Sequence, residues 1–171
     1  MVVADASVLI ALAKTRQLGL LRRTYGGGVM GPVIFEEVVT AGKRIGALGV
    51  EQVEQAIEDG WLQVVRPTSA ERRRAEQILK ASRLHEGEAE ALAIARGRRL
   101  LLVVDDKEAR GVAEALGLDF VGTAGVLLET FLLGQLRLDE LEEALLELSS
   151  VIWLSPQVVA SVLKLAREGG R

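Results

Sequence analysis

The chain has 171 residues, 49% of them hydrophobic, which is enough to bury a full core without staples and too apolar for long disorder. It has no cysteine, so disulfides, thiolate nucleophiles and zinc–thiolate sites are excluded, an absence that suits a reducing cytoplasm. Its formal net charge of -3 argues against a broad basic nucleic-acid-binding surface, leaving local candidates at Arg22 and Arg23, at Arg72, Arg73 and Arg74, and at Arg96, Arg98 and Arg99.

Short apolar runs alternate with helical patterns along most of the length. The opening MVVADASVLIALAK lacks a basic segment before its apolar run and meets Asp5 early, so it reads as a buried strand (Val2 to Ala4) and a helix (Val8 to about Arg23) rather than a signal peptide. No stretch approaches the roughly 18 uninterrupted apolar residues of a membrane span. Gly26, Gly27 and Gly28 read as a turn before a second strand at Val29 and Met30. Pro32 opens a helix to about Ala41. Gly42, Gly46 and Gly49 mark a loop, Val50 to Glu58 a helix, and Trp61 to Val65 a third strand. A charged helix runs from about Ser69, a natural N-cap, to Ser82. Another follows from Glu86 to about Arg96, before Leu100 to Val104, the clearest strand in the chain. A helix from Asp106 to Leu116 stops at Gly117, and Phe120 and Val121 form a fifth strand. The remainder is helical over 123–133, 139–148 and 156–168, with the terminal leucines and Trp153 assigned to packing. With no repeat and no low-complexity linker, one domain is expected over 1–171. Strands buried on both faces and separated by helices predict a parallel sheet between helical layers, with chemistry beyond the carboxyl ends of its strands.

Several acids fit packing poorly. Asp5 ends the first strand, and Asp105 and Asp106 end the fourth, so two strands deliver carboxylates to one edge of the sheet. Glu88 falls on the helical stripe of Leu84, Ala91, Leu92 and Ala95, where an unpaired carboxylate would be costly to bury. Glu90 lies one step off that stripe and reads as solvent-facing or supporting. Glu37, in PVIFEEVV, follows an apolar helical turn, and a shift of one residue would exchange it with Glu36. Asp5, Glu37, Glu88 and Asp105 thus lie on four elements that can converge. Hard divalent cations such as Mg²⁺ and Mn²⁺ take oxygen ligands of this kind, and carboxylate-held metals activate water against phosphodiesters. His85 is the one histidine, which leaves triads and histidine-rich zinc sites unsupported; it reads as a surface or capping residue.

These segments resemble the PIN-domain family. VVADASVLIAL looks like its start, PVIFEEVV its second motif, EGEAEALAIA its third, and LLLVVDDKEAR with GLDFVGTAGVLL its last acidic strand end and fifth strand. The likeness runs in order over about 2–133, is closest in wording to an uncharacterised prokaryotic branch, and leaves a C-terminal helical extension over about 134–171. The resemblance implies a three-layer α/β/α sandwich around a parallel five-stranded sheet. It also implies a Mg²⁺- or Mn²⁺-dependent ribonuclease, often the toxin of a toxin–antitoxin pair like virulence-associated protein C. RNA, an antitoxin protein and a second copy of the chain would be its partners. Asp5, Glu37, Glu88 and Asp105 would then be the catalytic set, with metal held by Asp5, Glu88 and Asp105 or Asp106, and Ser7 would orient a carboxylate or a metal-bound water. Two departures stand out: Glu88 occupies a place where many relatives carry Asp, and Val103-Val104 replaces the Thr often found before the fourth acid. Asp105 and Asp106 compete for that fourth role, and Asp105 is preferred because it ends the strand.

Other classes fit less well. A haloacid-dehalogenase-type hydrolase wants a second Asp where Ser7 stands, and the acidic pair and lysine of a receiver domain are missing. The triple glycine forms neither a dinucleotide nor a Walker motif. The rival from another class is a non-catalytic PIN-like module that binds nucleic acid or protein.

Overall fold

All five strands predicted from the sequence form, and all pair in parallel. In the computed structural model, whose described residues are 1–169, β1 (Val2–Ala4) occupies the centre of a sheet ordered β3–β2–β1–β4–β5. Its neighbours are β2 (Gly28–Met30) and β4 (Leu101–Val103); β3 (Leu62–Val64) and β5 (Phe120–Val121) form the edges. Val3 is flanked by Val29 on one side and Leu102 on the other. Every residue of β1 and β2 is buried, so helices cover both faces of the sheet centre. The chain builds outward from β1 through β2 to β3, then returns to add β4 and β5 on the opposite side. The resulting switch point lies between β1 and β4, where sheets of this kind place a crevice beyond the strands' carboxyl ends.

The helices depart from the sequence reading in three places. The pattern from Val8 to Arg23 divides into α1 (Ala6–Lys14) and α2 (Gly19–Tyr25). Arg16 takes a left-handed φ of 57°, and the N–H groups of Arg16 and Gln17 turn back to the carbonyls of Ala13 and Leu12, closing α1 without a glycine. The segment opened by Pro32 is α3 (Pro32–Phe35), followed by a π-helical stretch, Glu36–Ala41, and by α4 (Gly42–Arg44). Gly42 is therefore helical, and the loop starts only at Ile45; a Cβ on Gly42 would come 2.7 Å from Val50 Cγ2. After α5 (Val50–Glu58), Thr68 rather than Ser69 caps α6 (Ser69–Ala81). The Glu71 N–H donates to Thr68 Oγ1 (3.2 Å), while the Thr68 N–H donates to Glu71 Oε2 (2.7 Å).

The remaining helices are α7 (Glu86–Arg98), α8 (Lys107–Ala115), α9 (Thr123–Leu132), α10 (Leu138–Ser149) and α11 (Pro156–Gly169). Helix α7 packs on β1 and β4 and is braced by α6; α10 and α11 pack on α9. Leu141, Leu145, Leu148, Val162 and Ala166 join Leu9, Leu102 and Leu127 in one continuous apolar cluster, so the C-terminal helices share the core of the sheet. Trp153 does not: it is 84% exposed, against the packing role expected of it.

Candidate metal centre

The carboxyl ends of β1 and β4, on either side of the switch point, are followed by aspartates. Asp5 follows β1 directly and is held in register when its N–H donates to the Val103 carbonyl (3.1 Å). Its side chain is buried, and Ser7 Oγ donates to Oδ2 at 2.8 Å, so the geometry couples Ser7 to the carboxylate itself. Burial pushes the Asp5 carboxyl above its ordinary value, the Ser7 bond and adjacent N–H groups hold it down in part, and the charge of Asp105 pushes it up further.

Glu37 projects from the π-helical stretch, a geometry often found at functional sites. Partial burial and the charge of Asp5 raise its carboxyl, opposed by His85. Its neighbour Glu36 points to solvent and pairs with Arg44 at 3.4 Å. Both glutamates are exposed, and Glu37 is the one that feels the charge of Asp5.

Glu88 comes from the first turn of α7 and is half-buried. Its Oε2 accepts from the His85 N–H at 2.9 Å, which fixes the side chain across the helix start. Desolvation raises its carboxyl; the His85 N–H lowers it, and the charges of Asp5 and Asp106 raise it again. His85 is the exposed N-cap expected of it.

The adjacent aspartates are used differently. Thr123 approaches Asp105 from both its backbone N–H, which donates to Oδ1 at 2.9 Å, and its hydroxyl, which donates to Oδ2. The Arg110 guanidinium adds a contact to Oδ1 at 3.3 Å. Asp105 thus caps α9 and anchors an ion pair. A Cβ on Gly122 would lie 2.8 Å from Asp105 Oδ1, so a glycine is required for that approach. Asp106 caps α8 through Oδ1, accepting from the Ala109 N–H at 2.8 Å, and is otherwise exposed.

Of the two roles read for Glu90, solvent-facing or supporting, the structure shows the second: it is buried, and its Oε2 accepts from the Val33 N–H at 3.1 Å. The carboxylate thereby satisfies the start of α3, which leads into the segment bearing Glu37. Burial raises it, and the Val33 and Ile34 N–H groups oppose the rise. Its carboxylate lies where a Cβ on Gly31 would be, so these residues are matched. Thr123 and Arg110 were also missed as site residues. Thr123 lies within the GTAG wording that carried the family resemblance, whereas no local pattern singles out Arg110.

No three of these groups lie close enough to share a cation as they stand, among the described residues. The donor set nevertheless fits a hard divalent cation. It is made of carboxylate oxygens, and Asp5, Glu37 and Glu88 are raised partly by acidic neighbours, a repulsion that a dication would relieve.

Fold and site together define a parallel α/β protein with an oxygen-donor crevice at its topological switch point. A family model described as a PIN domain matches residues 1–168, and the chain belongs to the PIN-domain family. That match takes in α10 and α11, which the sequence motifs alone did not reach. No curated protein matches the chain significantly. PIN domains are generally nucleases, hydrolases that use divalent metals and act on nucleic acids. No helix among the described residues is long and apolar enough to cross a membrane.

Proposed function

We propose that this protein is a Mg²⁺- or Mn²⁺-dependent ribonuclease that hydrolyses RNA phosphodiester bonds. The observation that carries this reading is a set of carboxylates from three separate elements, Asp5, Glu37 and Glu88, in which Glu37 and Glu88 are each raised in part by the charge of Asp5. Asp5 and Glu88 are the principal ligands, and Glu37 closes the cluster opposite them. Asp106 is the fourth ligand, because both oxygens of Asp105 are engaged by Thr123 and Arg110. Asp105 then shapes the edge rather than binding metal, which reverses the preference drawn from strand position alone.

A metal held there supplies charge neutralisation and an activated water for attack in line on phosphorus. The protein's own groups do the rest. Ser7 orients Asp5, the His85 N–H orients Glu88, and Glu90 sets the start of the segment that carries Glu37. The raised Glu37 carboxyl is a stronger base than a free glutamate and is suited to take a proton from the attacking water. A role as the toxin of a toxin–antitoxin pair, in the cytoplasm and as a homodimer, follows from the resemblance and forms part of the proposal.

Single-stranded and structured RNAs incubated with Mn²⁺, with Mg²⁺ or with EDTA test this reading, with Asp5→Asn protein alongside. Metal-dependent cutting that disappears in a folded Asp5→Asn protein is expected. Equal cutting by the variant would refute the site, and no cutting by well-folded wild-type protein would favour a non-catalytic binding module.

A further inference from the structure

Beside the carboxylate crevice lies a cavity of about 300 Å³ that the proposed chemistry does not use. Asp105, Arg110 and Gly122 form its inner side, and Ile152, Trp153 and Leu154 its outer side. The outer residues belong to the connection between α10 and α11. Ile152 and Leu154 are half-buried and pack on the core, whereas Trp153 between them is 84% exposed. The connection is fastened on both sides of the tryptophan. The Val151 and Ile152 N–H groups donate to the Leu148 carbonyl (3.1 and 3.0 Å), and the Val158 N–H donates to Ser155 Oγ (3.2 Å). An indole is thus held out of the core on an anchored segment, at the rim of the crevice.

The inner side supplies a cation in the right place. The Arg110 side chain is 40% exposed even while it contacts Asp105, and it lines the same cavity as the indole. Together they offer a guanidinium to a phosphate and a flat apolar face to the ring attached to it. Nucleobases stack on aromatic side chains in a sequence-tolerant way, and exposed base faces of this kind are found in single strands.

We infer that Trp153 is a stacking platform for a nucleobase flanking the scissile phosphate, with Arg110 receiving the adjoining phosphate, so that the enzyme selects single-stranded RNA. The inference rests on the nuclease reading for its substrate class. Trp153 is a positioning residue: it holds the strand, and the carboxylates act on it.

The test uses full-length Trp61→Phe protein, in which Trp153 is the sole indole. It is mixed in Mg²⁺ buffer with a short single-stranded oligoribonucleotide, and with a matched oligomer whose bases are replaced by abasic sites. Stopped-flow emission is read before turnover and cleavage thereafter. The base-bearing strand is expected to quench Trp153, and the abasic strand is not. Trp153→Ala should raise KM for the base-bearing strand about 5- to 150-fold with kcat little changed, and leave the abasic strand unaffected. Trp153→Phe should restore most of the loss. Absence of quenching, or an unchanged KM in Trp153→Ala, overturns the inference while metal-dependent cutting leaves the nuclease reading intact. Quenching with no cutting supports the platform and removes the nuclease. Emission that instead shifts with protein concentration, alongside a dimer in sedimentation, overturns it in favour of contact between copies.

Discussion

Asp105 and Asp106 are consecutive aspartates with different bonding, and that difference is testable. Asp105→Asn removes the charge from a carboxylate bound by Thr123 and Arg110, so it should lower stability by about 1–3 kcal/mol, read as a fall in Tm. Asp106→Asn keeps an oxygen for the Ala109 N–H and should leave Tm nearly unchanged while cutting kcat at least about 100-fold. The opposite pattern would return the metal to Asp105. Titration provides a second test. Asp5, Glu37, Glu88 and Glu90 all have carboxyls raised by burial in the fold, so the folded chain binds more protons than the unfolded one above about pH 4. In EDTA their contribution to stability therefore falls as pH rises through the raised values. Glu71 acts in the other sense: burial pushes it up, but its bonds to Arg98 and Thr68 outweigh that, and its stabilisation is lost as pH falls through the lowered value. Mn²⁺ binds only the folded, ionised cluster, so the Tm difference between Mn²⁺ and EDTA should widen as pH rises through the raised values. A difference independent of pH would separate the metal from these groups.

The strands and most helices were legible in the sequence because their signals are local: Leu100 to Val104 is an uninterrupted apolar run, and Pro32 sits where a helix starts. What could not be read depends on contacts distant in the chain. The π-helical stretch Glu36–Ala41 shifts the phase of its residues relative to an α-helix, and α-periodicity alone therefore left Glu36 and Glu37 interchangeable. Glu90 looked peripheral because it lies off the apolar stripe of α7, yet it reaches α3, 57 positions away in the chain. The positions of Asp5 and Glu88 were foreseeable from a strand end and one helix face. The commitment of Asp105 to Thr123, 18 residues later, was not. The pairing of Glu90 with Gly31 yields a prediction for this element. Gly31→Ala would drive a methyl into the Glu90 carboxylate, and Glu90→Ala would leave the Val33 N–H without its partner. Each should cost about 1–3 kcal/mol in urea unfolding. The double variant should cost less than the sum, because the overlap is gone once the carboxylate is removed. Strict additivity would mean that the two positions are not in contact.

Over the whole molecule, the arginines at the end of α7 lie apart from the proposed metal-binding carboxylates. Helix α7 separates them: Glu88 is in its first turn at the crevice, and Arg98 is in its last, about 15 Å away at 1.5 Å per residue. Arg98 is spent on buried Glu71 at 3.0 Å and on the Arg66 carbonyl, and Arg72 turns back to the Pro67 carbonyl and Ser69. At the crevice, Arg110 is the cation named in the bonding around the fourth strand end, and it faces Asp105. A chain of formal charge -3 with several acids at the proposed site should repel RNA until a dication is bound. Two consequences follow for binding measured by fluorescence anisotropy. In EDTA the Kd for single-stranded RNA should be at least about 100-fold weaker than in Mg²⁺ at the same ionic strength. In Mg²⁺, with few phosphates met by arginine or lysine, the slope of log K against log salt should be shallow, about -1.4 to -2.1, as neutralising two or three phosphates of a single strand requires. A steep slope with tight metal-free binding would show that RNA is held on the arginine-bearing side, away from the carboxylates, and would move the nucleic-acid interface to the opposite end of α7.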